Sequence, residues 1–386
     1  MSFLHSSIFF IHFRLFGKLI YHQCIKNFTL RRTVITLGFL LTIILSASMV
    51  FVFRLLDEIF FFSYRTQEVK QPIFIISNPR SGTTFTHRLM CMDEDKYAFT
   101  SLYHTTFPSI TLFKVVNVFS RLDNKIGHPM EKGIKALDKI LFKGWENIHP
   151  MGWGKSEEDE AMYVYTGYSA GMFFLSPFIK DVYEIVFPDT VDEKVRKKIM
   201  NFYTNSIQRV MFAQGHNKIF LSKNVMSTGR LKSLNEAYPD ARYIYLVRNP
   251  MEAIPSLMSM FSIPWNFHSP EIKYDSPEFR AVGTIGIDYY KYFNKFKNRI
   301  DPKNMITVNY EDLVNNPKET IEKIYDHFDL EIDEKYNQKL SAITKKQKSY
   351  TSGHDYSLEQ FGMTSEQVYK ELDFIFEEYD FGVLQG

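Results

Sequence analysis

Gln71-Pro-Ile-Phe-Ile-Ile-Ser-Asn-Pro-Arg-Ser-Gly-Thr-Thr-Phe-Thr-His-Arg-Leu-Met90 is the stretch that decides the fold. Residues 73–76 are an unbroken apolar run rich in β-branched side chains, which reads as a central parallel strand covered on both faces. Asn78-Pro79 ends the run. Ser81, Gly82, Thr83 and Thr84 then supply a turn of small side chains, and apolar periodicity resumes at Phe85. Strand, small-residue loop and helix start together aim backbone N–H groups and a helix dipole at an anion. A nucleotide P-loop needs Gly, four residues, then Gly-Lys-Ser/Thr. Here one glycine is present, no lysine follows it, and Arg80 is the loop's cation. The plainer alternative is a strand-to-helix turn capped by Ser81 or Thr83. The Pro-Arg pair and the hydroxyls favour a phosphate site.

Two later segments strengthen that reading. Ala241-Arg-Tyr-Ile-Tyr-Leu-Val-Arg-Asn-Pro-Met-Glu-Ala-Ile-Pro-Ser256 is a second apolar strand, and it ends in Arg248 and a turn. Val308-Asn-Tyr-Glu-Asp-Leu-Val-Asn-Asn-Pro317 follows a third. With these three elements in this order, the chain from residue 72 to the C-terminus resembles the sulfotransferase superfamily. The resemblance implies an α/β fold: a P-loop-like three-layer sandwich around a central parallel sheet. It implies 3′-phosphoadenosine 5′-phosphosulfate (PAPS) as co-substrate, no metal, and 3′-phosphoadenosine 5′-phosphate (PAP) as product. Arg80, Ser81, Gly82, Thr83 and Thr84 would hold the 5′-phosphosulfate, and Arg248 with Ser256 the 3′-phosphate. Lys223, at the end of the short strand read over 218–223, would face the transferring group. Lys348, in a basic C-terminal stretch that also holds Tyr356, would close over the nucleotide.

The base is less evident. Val225 stands where the cytosolic branch of the family has a histidine. His104 occupies a place where relatives often carry a carboxylate, and neutral histidine is a competent base near pH 7. Glu158 belongs to a His149…Glu157-Glu-Asp-Glu160 element that resembles one membrane-linked or bacterial branch. Four acids in a row also suit a solvated helix N-terminus. Residues 161–178 are aromatic and apolar, as an acceptor pocket or ordinary core would be. Residues 261–274 read as a loop, a candidate lid.

Composition bounds the rest. The 386 residues include 45% hydrophobic side chains, enough for a large core, and a net charge of +2 gives no field for nucleic acid. Two cysteines exclude a disulfide framework. Residues 33–53 carry no charge and match a hydrocarbon core of about 30 Å. Arg14, Lys18, Lys26, Arg31 and Arg32 precede them without an acid, which favours a cytoplasmic N-terminus. The domain expectation is a basic segment over 1–32, a membrane-spanning or membrane-associated helix over 33–56, and a catalytic domain over 57–386 with a helical insertion around 109–215. Residues 7–21 read as an interfacial helix, and 57–70 as a linker. The expected localisation is a membrane, crossed once. The expected function is transfer of a sulfuryl group from PAPS to a carbohydrate, lipid or small alcohol, or to an amine. The competing readings are a kinase-like P-loop enzyme, which would want the loop lysine and a metal-binding carboxylate, and a non-catalytic membrane protein that keeps the fold.

Overall fold

Five strands, β1 (Ile73–Ser77), β2 (Tyr97–Phe99), β3 (Ile219–Lys223), β4 (Arg242–Val247) and β5 (Met305–Asn309), pair in the order β2-β3-β1-β4-β5, every pair parallel. The computed structural model describes residues 8–133, 136, 156–215, 217–346 and 356–382. β1 is buried at all five positions, as its unbroken apolar run requires. Alternate residues serve two cores. Phe74 and Ile76 join Tyr243, Tyr245 and Val247 on one face; Ile73 and Ile75 join Ile244 and Leu246 on the other. This is the expected three-layer sandwich, its continuous hydrophobic strands covered on both sides.

The chain leaves β1 towards β3 and β2 and later returns to the other side for β4 and β5. The reversal places the C-terminal ends of β1 and β4 beside each other, the point where open α/β sheets bind ligands. Two helices start there, α3 (Thr83–Cys91) after β1 and α9 (Pro250–Met260) after β4; α8 (Leu231–Ala237) leads into β4 and α11 (Pro277–Lys297) precedes β5.

The N-terminal region differs from expectation in three ways. α1 (Phe13–Ile20) is not a free interfacial helix: Leu15 and Leu19 are buried in the main core, and Lys18 pairs with Glu184 at 2.6 Å. α2 (Leu30–Phe60) is long and apolar enough to cross a membrane, but it continues beyond residue 56. Its last turns belong to the domain. Asp57 accepts bonds from the Ile110 and Thr111 N–H groups and from Arg209 Nε. The expected linker therefore begins as a buried ion-pair site, because Arg209 on α7 (Glu193–Gln214) needs an anion there.

α4 (Leu102–Thr106) precedes the expected helical insertion around 109–215, within which lie α5 (Ile110–Lys125), α6 (Glu160–Val164) and α7. His149 lies outside the described residues. The expected lid over 261–274 contains a short helix, α10 (Ser262–His268), that is tied down. Trp265 Nε1 donates to the Phe173 carbonyl at 2.8 Å, and both Trp265 and His268 are buried. Apolar burial of the aromatic residues outweighed the turn signals.

Candidate active site

The loop after β1 is held in an uncommon conformation. Arg80 has φ 72° and Gly82 φ 88°. A non-glycine residue in the left-handed region costs about 1–3 kcal/mol and persists where its surroundings hold it. Arg248 does so, donating from Nη1 to the Arg80 carbonyl at 2.9 Å. Gly82 is required twice over: a Cβ there would lie 2.9 Å from Leu313 Cδ2 and 3.0 Å from Tyr310 Cδ2. Gly82→Ala is expected to destabilise the protein by about 1–3 kcal/mol, read as a lowered thermal midpoint; an unchanged midpoint would contradict the role given to this φ.

The same contacts explain the third sequence element. Tyr310 and Leu313, on α12 (Tyr310–Asn315), back the loop glycine, and the Tyr310 ring lies 4.4 Å beneath the Arg248 guanidinium. Arg80 Nε donates to Ser256 Oγ at 3.1 Å. Ser256 is not a helix cap, since Asn249 fills that position by accepting from Met251 N–H. Arg80, Arg248 and Ser256, far apart in sequence, thus form one cluster. Arg248 also pairs with Glu252 at 2.6 Å.

On the other side of the loop, Lys223 at the end of β3 is fully buried and reaches Thr84 Oγ1 at 3.2 Å and Glu158 Oε1 at 3.1 Å. The loop therefore has a lysine in space that it lacks in sequence. Thr83 and Thr84 head the nine-residue α3, so their N–H groups have no acceptor in the helix. Ser81 is fully buried, and its Oγ has no hydrogen-bond partner among the described residues. An orphaned buried hydroxyl beside helix N–H donors and two cations fits an anionic group. Lys348 lies outside the described residues; Tyr356 is half-buried against the main core.

The acidic run is not a solvated face. Asp159 is fully buried and accepts from Tyr203 Oη, Ser222 Oγ and Asn224 Nδ2. Burial pushes its carboxyl up to about 6 against the pull of those donors. Glu160 takes two bonds from Arg230, at 2.6 and 3.0 Å. These two anchors hold residues 158–160 against β3, with the Glu158 side chain a quarter exposed beside Lys223. No spacing rule links Glu160 to Arg230 or Asp159 to Tyr203, so the anchors were not legible beforehand.

His104 has a structural task. It is the third residue of α4, and its Nδ1 lies 2.8 Å from Ser101 Oγ and accepts from the Ser101 N–H in a capping box. Its ring packs against Tyr103 and Phe113 at 4.0 and 4.6 Å. With Nδ1 accepting, the neutral ring carries its proton on Nε2. Burial lowers its pKa to about 3. A group whose folded pKa is depressed below the unfolded value stays neutral in the fold; stability present above about pH 6.5 is lost as pH falls toward 3. His104→Phe, which keeps a ring but cannot protonate, is expected to lose less stability than the parent between pH 6.5 and 4 in thermal melts. An identical acid profile would contradict this. His87, which the sequence did not single out, is buried on α3; burial, then the Lys223 charge, lowers its pKa to about 3.

Comparison with known proteins agrees with this geometry. Residues 72–334 match the model described as the sulfotransferase family. Omega-hydroxy-beta-dihydromenaquinone-9 sulfotransferase Stf3 of Mycobacterium bovis is 24% identical over 310 residues, covering 77% of this chain and 71% of the relative; the Mycobacterium tuberculosis protein of the same name matches equally. Among solved structures, sulfotransferase STF1 of Mycobacterium tuberculosis superposes with a TM-score of 0.67 at 20% identity, over 93% of this chain and 90% of that one. Sulfotransferase STF9 of Mycobacterium avium gives 0.67 at 15%, over 83% and 79%.

Proposed function

The chain belongs to the sulfotransferase family and is a sulfotransferase; from that premise we propose that its donor is PAPS, its acceptor a membrane-held lipid alcohol, and its base Glu158. The observation that carries the donor assignment is the cluster of Arg80, Arg248 and Ser256 on one side of residues 81–84, with Lys223 on the other. Two cationic positions flanking an N–H cradle suit a nucleotide with phosphates at both the 3′ and 5′ positions.

PAPS supplies an activated sulfuryl group whose leaving group is a phosphate. Residues 81–84 offer N–H groups and the Ser81 hydroxyl to the 5′-phosphosulfate. Arg248 and Ser256 bind the 3′-phosphate, and Arg80 stands between the two ends. Lys223, bonded to Thr84, places its charge where the S–O bond breaks and the leaving oxygen gains electrons. Glu158, salt-bridged to that lysine, takes the acceptor hydroxyl's proton as the new S–O bond forms. His104 is the weaker candidate because its Nδ1 is occupied by the helix cap.

Two observations support a lipid acceptor. The Mycobacterium relatives are named for a hydroxylated dihydromenaquinone, and α2 presents a long apolar surface for membrane association. Incubating the full-length protein with sulfur-35 PAPS and a detergent-dispersed lipid extract tests the proposal. Label is expected in an organic-soluble product. Label confined to water-soluble sugars or phenols would replace the lipid with another acceptor, and no transfer at all would remove the PAPS assignment.

A further inference from the structure

α2 is inside out for a helix on a domain bathed in water. Three of its charged residues, near its two ends, face the protein: Arg32 is 2% exposed, and Arg54 and Asp57 are fully buried. Between them Ile43, Ala47 and Val50 complete a buried stripe. The outer side carries Val34, Leu37, Leu41, Ile44, Leu45 and Val52, each more than half exposed, with no charge between residues 33 and 53. A helix at a water boundary has the opposite pattern. Thr42, Ser46 and Ser48 donate to carbonyls of their own helix, as hydroxyls do where water is absent.

Both ends of α2 are fastened to the same catalytic unit. Arg32 Nε donates to Ser269 Oγ at 2.7 Å. Arg54 Nη1 donates to Ser206 Oγ at 2.8 Å, and Asp57 pairs with Arg209 at 2.9 Å. Arg32 and Arg54 lie about 33 Å apart along the helix, at ~1.5 Å per residue. That is a full hydrocarbon thickness of about 30 Å. A helix crossing the bilayer would carry Asn205, Ser206 and Arg209 through the lipid with it.

We infer that α2 lies in the plane of an anionic bilayer surface, its outer face in the acyl region, and does not cross. This stands independently of the acceptor assignment. α5, packed beside α2, continues the apolar surface: Val115, Val118 and Phe119 line an open cleft of about 260 Å³ with Phe61. Charge selects the occupant. Residues 1–56 contain six Lys and Arg and no Asp or Glu; of these, Arg32 and Arg54 are buried and Lys18 pairs with Glu184. Arg14, Arg31 and Lys26, the last 3.7 Å from Asp181, are exposed, and so are Phe13 and Phe28. Cations and aromatic rings at the edge of an apolar face match acidic headgroups. In a symmetric pairing a second copy of this chain would bring the same cations to the same face, where they repel.

Flotation of the full-length protein with phosphatidylglycerol-containing vesicles tests the surface. The parent is expected to float, and Leu41→Asp/Leu45→Asp to stay in the dense fraction with an unchanged thermal midpoint, since both side chains are exposed. A parent that fails to float overturns the inference, as does a parent that sediments as a dimer which the double variant splits. A second measurement decides the topology. In a Cys24→Ser background, Lys26→Cys and Ser63→Cys lie on exposed positions at either end of α2. In sealed native vesicles both are expected to react alike with an impermeant maleimide. If one reacts and the other is protected, the helix crosses and the inference fails.

Discussion

Glu158→Gln should lower sulfuryl transfer by about 10²–10⁴-fold and leave PAP affinity close to that of the parent. The amide keeps the shape and still accepts a bond from Lys223, so the 3.1 Å contact survives while the ability to take a proton is lost. Asp159 and Glu160, which anchor the segment, are untouched. The paired control is His104→Ala. It should keep turnover while losing about 0.5–2 kcal/mol of stability through the broken cap. Steady-state rates with label from PAPS and a thermal melt on each variant separate the two roles. If His104→Ala abolished turnover and Glu158→Gln did not, the base assignment would be reversed.

Arg248→Ala should weaken PAP binding by about 1.5–3 kcal/mol, the range for hydrogen bonds to charged groups. The loss has two parts: the guanidinium no longer meets a phosphate, and the Arg80 carbonyl loses the donor that holds its left-handed φ. Glu252, paired with Arg248 in the parent, would then stand unneutralised near the bound anion. Arg248→Lys keeps the charge but not the planar fork that bridges the Arg80 carbonyl and Glu252, so it should fall between the two. Calorimetric titration with PAP measures both variants. Equal affinity in parent and Arg248→Ala would place the 3′-phosphate elsewhere.

The sheet and the loop were legible in the sequence because their signals are local. Residues 73–76 had to be a strand covered on both faces, and the small side chains of residues 81–84 marked the turn that follows it. Arg248 and Ser256, which the resemblance assigns to the 3′-phosphate, lie beside the loop in space. What escaped depended on contacts between distant segments. The acidic run 157–160 looked like a solvated helix start because its partners, Arg230, Tyr203 and Ser222, lie more than 40 residues away. His104 drew attention through its place in the family pattern; its capping box with Ser101 is local, but histidine in place of Glu or Gln has no familiar pattern. α2 had the composition of a crossing segment; only the burial of Arg32, Arg54 and Asp57 shows that its charged side faces protein. Hydropathy reports how apolar a helix is, not which face is already taken.

A crystal structure of the protein with PAP would show whether both arginines grip one nucleotide. The 5′-phosphate is expected on the N–H groups of residues 81–84, with the Ser81 hydroxyl bonded to it. The 3′-phosphate is expected within hydrogen-bond distance of Arg248 and Ser256, in the cleft between the ends of β1 and β4. A nucleotide whose 3′-phosphate points to solvent, or one seated away from residues 80–84, would contradict it.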